Sequence, residues 1–240
     1  IIDTIDVALL SAVDEISRQQ TVNKVDIDSI NHLLQRQARR VPHLAFIRST
    51  DQFGKVIYGV ENGSKTAYLD DREFFKRLRD DPNAGLVISQ PVFAKIAQKW
   101  VWAFARRLNH ADGSFAGMVY ASIYTDEIEK LFSQIHMEAG GSIAIRHQNI
   151  NLIARTTFER NNPIPIGSAT ISQPFKDALK ANPQSGSYTS DASSTDPITR
   201  IYSYQRSSKY HYLINVGLAT EVALSGWRNQ LTAVSLIITL

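Results

Sequence analysis

Two arginines, Arg72 and Arg106, have the types and positions best suited to binding a small molecule. Arg72 lies at the start of a predicted helix, and Arg106 shares one side of a predicted strand with Trp102 and Phe104. A guanidinium group presents a planar fork of donors that matches a carboxylate. If these side chains converge, they form a clamp for a small anion, which the helix dipole also favours. The alternatives are a solvated surface position for Arg72 and a sheet-edge position for Arg106.

Aromatic residues complete the predicted site. Tyr120, on the next strand, can supply a hydroxyl group, and Tyr68, just before the helix, can close the mouth of a pocket. Phe75 and Trp102 can form an apolar wall, although such residues more often belong to the core. The predicted ligand-binding residues are therefore Tyr68, Arg72, Phe75, Trp102, Arg106 and Tyr120.

The charge of the ligand depends on two neighbouring carboxylates, Asp70 and Asp71. These could bind an amine. Asp70 followed by Glu73 has the spacing of a capping box, however, so we expect the carboxylates to cap the helix. The sequence therefore favours a carboxylate ligand over an amine.

The chain offers no motif for catalysis and no ligand set for a metal. It contains no P-loop and no Gly-x-Gly-x-x-Gly, and "GSFAG" has its serine one place too early for a nucleophile elbow. Cysteine is absent and the six histidines are scattered. We expect no catalytic residue, no metal and no cofactor in this segment.

The composition excludes a nucleic-acid partner and permits a packed core. The formal net charge is only +3, from 26 basic and 23 acidic residues that are mostly interspersed. Nucleic-acid binders concentrate Lys and Arg on one face instead. The hydrophobic fraction of 43% is ordinary for a globular fold.

One pattern occurs twice, in "DDREFFKRLRDDPNAG" from Asp70 and "SQPFKDALKANPQSG" from Ser172. Each is a short amphipathic helix that ends at Asp-Pro or Asn-Pro followed by Gly. Each follows two strands and precedes a strand meander, and residues 1–40 before them carry one apolar helical stripe. The order of elements predicts an α+β fold: a long N-terminal helix, two tandem PAS-like modules with antiparallel five-stranded sheets, and a C-terminal helix leading to a membrane span.

The predicted boundaries follow from this repeat. Residues 1–40 form a signalling helix, 41–136 a membrane-distal module, 137–220 a membrane-proximal module, and 221–240 a helix that enters the membrane. Trp227 and Arg228 before the apolar run "AVSLIITL" are typical of a membrane edge. The density of Arg and aromatic residues between Tyr68 and Tyr120 predicts that the distal module binds the ligand and the proximal module relays the signal.

Several motifs resemble those of the double Cache (PDC-type) sensor domains of bacterial membrane receptors, especially diguanylate cyclases and histidine kinases. They are Asp71-Arg72-Glu73 with Phe75, Leu86 to Ser89 with Pro91, Trp100, Arg106-Arg107, and Asp112 to Gly117. The amino-acid-binding subclass has Trp-Tyr after its arginine, where this chain has Phe74 and Phe75 after Arg72.

The resemblance implies an extracytoplasmic, non-enzymatic sensor in the bacterial inner membrane. The segment would face the periplasm or the exterior, between two transmembrane helices. The receptor would form a homodimer through the N-terminal helix, and any diguanylate cyclase or histidine kinase activity would belong to a cytoplasmic output domain. The alternative is a stand-alone structural or adaptor protein that dimerises through the long helix.

Overall fold

The computed structural model describes residues 1–22, 24–60, 65–157, 164–192 and 198–225. The chain divides into two compact units, Ile1–Ile128 and Glu129–Leu240. Each unit contains one antiparallel sheet with helices, as the predicted α+β class requires. The finer module boundaries given above stay predictions.

The helical N-terminal segment is confirmed, with one correction: it consists of two helices, α1 (Ile2–Thr21) and α2 (Ile27–Arg40). Asp26 has an extended backbone, and its carboxylate accepts a hydrogen bond from the Ser29 amide, so it caps a new helix. The Gln19 side chain also accepts a hydrogen bond from the Asp26 amide. The apolar periodicity continues across this break and therefore concealed it from the sequence.

The first sheet has six strands, one more than predicted. They are β1 (Phe46–Thr50), β2 (Val56–Tyr58), β3 (Val87–Ile88), β4 (Val92–Phe93), β5 (Trp100–Asn109) and β6 (Phe115–Tyr124). Their order is β2-β1-β6-β5-β3, and β4 pairs with β5 beside β3. Helix α3 (Glu73–Asp80) connects β2 to β3, and α4 (Thr125–Ser133) follows β6.

The second sheet repeats this plan with the predicted five strands. They are β7 (Ser142–Arg146), β8 (Leu152–Thr157), β9 (Ser185–Ser190), β10 (Arg200–Arg206) and β11 (Leu213–Ala219), in the order β8-β7-β11-β10-β9. Helix α5 (Gln173–Ala181) occupies the place of α3, and Phe175 is buried as Phe75 is. The repeat seen in the sequence is therefore a repeat of the fold.

The start of α3 differs from the predicted capping box. The helix begins at Glu73, and Arg72 occupies the cap position without a side-chain cap. A turn in which the Arg72 amide donates to the Leu69 carbonyl delays the helix, so Asp70 lies too early to cap it. At the other end, the Arg107 guanidinium donates to the carbonyls of Leu78 and Arg79. These two bonds satisfy backbone carbonyls that the end of a helix leaves without an intrahelical donor.

Helices cover the two faces of the first sheet. Because strand residues alternate between faces, Trp102, Phe104 and Arg106 of β5 lie toward α1, which packs on β5 and β6. Ala103 and Ala105 lie toward α3, in a core that also contains Phe75.

A bidentate ion pair joins α1 to its face of the sheet. The Arg106 guanidinium donates to both carboxylate oxygens of Asp6, with 2.8 Å between Nη2 and Oδ2. Both side chains are mostly buried. Such paired, charge-assisted bonds are among the stronger polar contacts in proteins.

The predicted C-terminal helix is described only at its start. Helix α6 (Thr220–Ala223) begins one residue before the predicted Glu221, and Trp227 and the apolar run lie outside the described residues. Among the helices that the structure describes, none is long and apolar enough to cross a membrane.

Removing the ion pair should destabilise the first unit. We expect Asp6→Ala to lower the free energy of unfolding by about 1.5–3 kcal/mol, the range for hydrogen bonds to charged groups, since it leaves a mostly buried guanidinium without its carboxylate. Asp14→Ala, on an exposed position of the same helix, should change it by less than about 0.5 kcal/mol. Urea unfolding measures both, and equal effects would contradict an anchoring role for the pair.

Candidate functional site

A small cavity lies between the α3 face of the first sheet and the segments before α3 and after β4. Its volume is about 30 Å³, which leaves room for only about one or two water molecules. Its walls are mainly apolar, from both sheet and connecting segments. The lining residues used below are Phe46, Arg48, Arg72, Phe74, Phe93, Lys95, Ala103, Tyr120 and Ser122.

Three cationic side chains reach this cavity from three separate segments. Arg48 comes from β1, Arg72 from the start of α3, and Lys95 from the segment after β4. Arg72 Nη2 donates to the Phe93 carbonyl at 2.9 Å, and Lys95 Nζ contacts an Asp71 oxygen at 2.9 Å. Asp71 also lies 3.7 Å from Arg72 Nε. Asp71 therefore lies beside two of the three cations, and Lys95 is already its close partner.

Tyr120 is a buried polar residue of the lining. Burial raises the pKa of its phenol to about 12, and the nearby guanidinium groups of Arg48 and Arg72 act in the opposite direction. Arg48 contributes a side-chain hydrogen bond as well as its charge. The phenol therefore stays protonated at neutral pH and can donate a hydrogen bond to an anion.

Ser122 lines the same cavity with only 1% of its surface exposed. Its hydroxyl oxygen has no hydrogen-bond partner within the described part of the chain. Buried polar groups without partners are rare, because they lose their water contacts and gain nothing in return. A hydroxyl group of this kind can bond to a ligand without giving up an existing bond.

Aromatic contacts hold Arg48 and Tyr120 in place. The Arg48 guanidinium carbon lies 3.9 Å from the centre of the Phe46 ring, a cation–π distance. Phe46 also meets Tyr120 edge to face, with 6.2 Å between ring centres. The polar groups of the cavity are thus fixed by the apolar wall rather than free in solvent.

The structure brings together two of the six predicted ligand-binding residues, Arg72 and Tyr120, in the cavity lining. Tyr68 is half exposed beside it, and its backbone carbonyl accepts a hydrogen bond from Lys95. Phe75 is 1% exposed in the core, where its ring meets Phe115 edge to face. Neither Tyr68 nor Phe75 belongs to the lining.

The predicted clamp of Arg72 and Arg106 is wrong. Arg106 and Trp102 lie on the α1 face of the sheet, opposite the cavity, where Arg106 pairs with Asp6 and Trp102 packs on Phe104. The prediction placed Arg106 on the correct strand and on the same side as Trp102 and Phe104. The sequence did not reveal that α1, a helix outside the predicted module, covers this face.

Sequence reasoning missed Arg48, Lys95 and Ser122 as lining residues. Arg48 lies directly across from Tyr120, and Phe46 across from Ser122, in the pairing of β1 with β6. This pairing joins residues about 70 positions apart, so no local pattern reveals it. The available signal for Arg48 was its spacing from Phe46, because residues two apart in a strand share one face.

The described residues contain no group of three or more His, Cys, Asp or Glu side chains that could hold a metal. The polar groups of the cavity are instead cations and hydroxyls, which suit recognition of an anion.

Comparison with solved structures identifies the fold. The structure matches the extracellular domain of rpHK1S-Z16, which is described as a histidine kinase, with a TM-score of 0.76 and 25% sequence identity. The match covers 92% of this chain and 88% of the rpHK1S-Z16 chain. The sensory domain of the Campylobacter jejuni chemoreceptor Tlp3 with isoleucine bound matches 92% of the chain and 91% of its own, with a TM-score of 0.56 and 13% identity.

A third match is the ligand-binding domain of the Pseudomonas aeruginosa PAO1 amino acid chemoreceptor PctB in complex with L-Arg. It has a TM-score of 0.65 and 11% identity, and it covers 91% of this chain and 87% of its own. No protein-family model and no curated protein sequence matches the chain.

These matches confirm the resemblance to double Cache sensor domains and the tandem PAS-like fold. The matched Tlp3 and PctB structures are a sensory and a ligand-binding domain, and the rpHK1S-Z16 structure is an extracellular domain. None of the three is described as a catalytic domain, in agreement with a non-enzymatic sensor segment.

The raised pKa of Tyr120 predicts a change in stability with pH. The folded protein keeps a proton that the unfolded chain releases near pH 10, so this stabilisation is complete below pH 10 and is lost as pH rises toward about 12. The free energy of unfolding should therefore fall less steeply above pH 10 in Tyr120→Phe than in the wild type. The two slopes should differ by about 1 kcal/mol per pH unit. Urea unfolding at several alkaline pH values measures these slopes.

Tyr68→Phe is the matched control, because its ring is half exposed. It should keep the wild-type slope. Identical slopes in all three proteins would show that Tyr120 is not buried as a protonated phenol.

Proposed function

We propose that this chain is the extracellular ligand-sensing part of a bacterial membrane receptor, and that it binds a small carboxylate in the cavity of the first unit. The observation that carries the proposal is the cavity lining: Arg48, Arg72 and Lys95 share it with a buried, protonated Tyr120 and with the Ser122 hydroxyl, which has no partner among the described residues. Similar sensor domains bind small molecules, which supports this use of the fold.

The electrostatics favour a negatively charged ligand. The carboxylate beside the cavity, Asp71, is compensated by Lys95 and Arg72, which leaves Arg48 without an acidic partner among the described residues. A ligand carboxylate can accept hydrogen bonds from the guanidinium groups and from the Tyr120 and Ser122 hydroxyls.

The ligand must replace an existing contact, because the volume of the cavity is only about 30 Å³. Arg72 donates to the Phe93 carbonyl in the segment that covers the cavity. Exchange of this bond for one to a carboxylate would release the segment and enlarge the cavity. Binding and a local change of conformation are therefore coupled.

Carboxylates without an amine fit the site better than amino acids. An α-ammonium group needs an acceptor, and Asp71 already contacts Lys95 at 2.9 Å. An amino acid would have to displace Lys95 from that carboxylate, at a cost that a simple carboxylate avoids. The isoleucine and L-Arg complexes of Tlp3 and PctB make amino acids the second class to test.

We propose that the signal passes from the cavity to α1 within the first unit. Strands β5 and β6 carry cavity residues on one face and the α1 contacts on the other. Val7 and Leu10 of α1 are exposed, which supports a homodimer through this helix. Flanking transmembrane helices would anchor the receptor, the second unit would pass the signal on, and a histidine kinase or diguanylate cyclase domain would be the output.

A thermal-shift screen of small carboxylates, amino acids and amines tests the binding site. At about 100 times its dissociation constant, a ligand should stabilise the protein by about 2.7 kcal/mol. Arg72→Ala should then weaken the best carboxylate about 10- to 100-fold, because it removes a charge-assisted hydrogen bond. Calorimetric titration measures the affinity.

Arg77→Ala is the matched control, on an exposed position of the same helix. It should bind with wild-type affinity. An amine as the best ligand, or unchanged affinity in Arg72→Ala, would contradict the proposal. A protein that dimerises but binds none of the compounds would favour the structural or adaptor alternative.

A further inference from the structure

The sheet of the second unit carries a polar cluster on the face that packs against α5. Residues directly across from each other in a sheet share a face, and the pairs Ala144–Asn215, Tyr204–Asn215 and Tyr202–Tyr188 place these side chains together. The Tyr188 ring stacks on Phe175 of α5 and on Tyr202, at 4.7 Å and 5.1 Å between ring centres.

Arg146 is a buried cation in this cluster, with 5% of its surface exposed. Its Nη1 donates to the Ile150 carbonyl at 2.8 Å and lies 3.4 Å from the Ser168 carbonyl. Within the described ranges, its buried Nε has no hydrogen-bond partner and no ion pair includes Arg146. A buried cation without a counter-charge is costly, so this position attracts an anion.

The pKa of Arg146 agrees with this shortage of compensating charge. Burial lowers its pKa to about 10, and the positive charge of Arg155 acts in the same direction. Among the residues that the structure describes, the neighbours that raise it are Tyr188 and Tyr202, and none is a carboxylate.

Asn215 supplies the second unpartnered group. It is 6% exposed, and its Nδ2 donates to the Tyr188 hydroxyl at 2.8 Å, whereas Oδ1 is buried without a partner in the described ranges. A swap of the amide atoms leaves the same opening, since a tyrosine hydroxyl can donate as well as accept. One polar atom of Asn215 thus stays available in either orientation.

The internal repeat places this cluster where the first unit has its cavity. Tyr120 pairs with Arg48 two residues before the end of β1, and Asn215 pairs with Ala144 two residues before the end of β7. The sheet position of the buried phenol in one unit thus holds the buried amide in the other.

We propose that the second unit has its own binding site, formed by Arg146, Asn215 and Tyr188, for a small carboxylate that carries a neighbouring hydrogen-bond donor. The carboxylate accepts from Arg146 Nε, and the donor, such as the hydroxyl of a 2-hydroxy acid, bonds to Asn215. This second site is separate from the cavity of the first unit.

Fluorine NMR of protein labelled with 3-fluorotyrosine tests this site directly, with Tyr188→Phe to assign the resonance. Titration with L-lactate should shift the Tyr188 signal in a saturable way, and lactamide, which lacks the charge, should not shift it. The shift should persist in Arg72→Ala, which alters only the first unit. Arg146→Lys should weaken it about 10- to 100-fold, because lysine has no guanidinium Nε to reach the ligand.

Asn215→Ala provides a second test that keeps the Arg146 contacts with the backbone, and it decides the matter if Arg146→Lys does not fold. It should also weaken the lactate shift. A Tyr188 signal that does not move, that moves equally with lactamide, or that keeps its affinity in the folded variants would overturn the proposal. Because Tyr120 reports on the first unit in the same spectra, failure here leaves the first site to be judged separately.

Discussion

The pairing of β5 with β6 is the interaction on which the first unit depends. Their regular pairing begins where Val101 lies opposite Tyr124 and continues to the point where Leu108 lies opposite Gly117. This register sends alternate side chains to opposite faces, so each residue lies either on the α1 face or on the face that carries α3 and the cavity. A slip by one residue would move Tyr120 and Ser122 onto the α1 face and destroy both packings at once.

The arginines of the first unit fall into two groups, those that bind other parts of the fold and those that line the cavity. Arg106 and Arg107 are fully used by the fold, since one pairs with Asp6 and the other binds the last carbonyls of α3. Arg48 and Arg72 instead line a cavity and bond to single backbone carbonyls. A bond to a neutral carbonyl can be exchanged for a stronger one to a carboxylate, which is what reversible binding requires. Arg106 and Arg107 thus hold structural elements together, whereas Arg48 and Arg72 line the cavity and are available to a ligand.

Local patterns were sufficient to predict the repeat, the hairpins and most helices, because each depends on residues close in sequence. The twofold Phe-Lys segment with its Pro and Gly stop signals correctly marked α3 and α5. The site was harder to predict, since its members come from β1, α3, β6 and the segment after β4. Arg106 shows the limit: strand alternation indicated its neighbours on β5, but only the placement of α1 reveals which face it occupies. Asp26 shows another, because a single cap residue divides a helix whose apolar stripe continues.

The central claim is that the first-unit cavity keeps polar groups ready for a ligand, and Ser122→Ala tests it most directly. The Ser122 hydroxyl has no partner among the described residues, so its loss should leave the free energy of unfolding unchanged or slightly higher in the absence of ligand. The same substitution should weaken the best carboxylate from the screen about 2- to 10-fold, as expected for loss of one neutral hydrogen bond. A destabilised Ser122→Ala protein that binds this carboxylate with wild-type affinity would contradict the account.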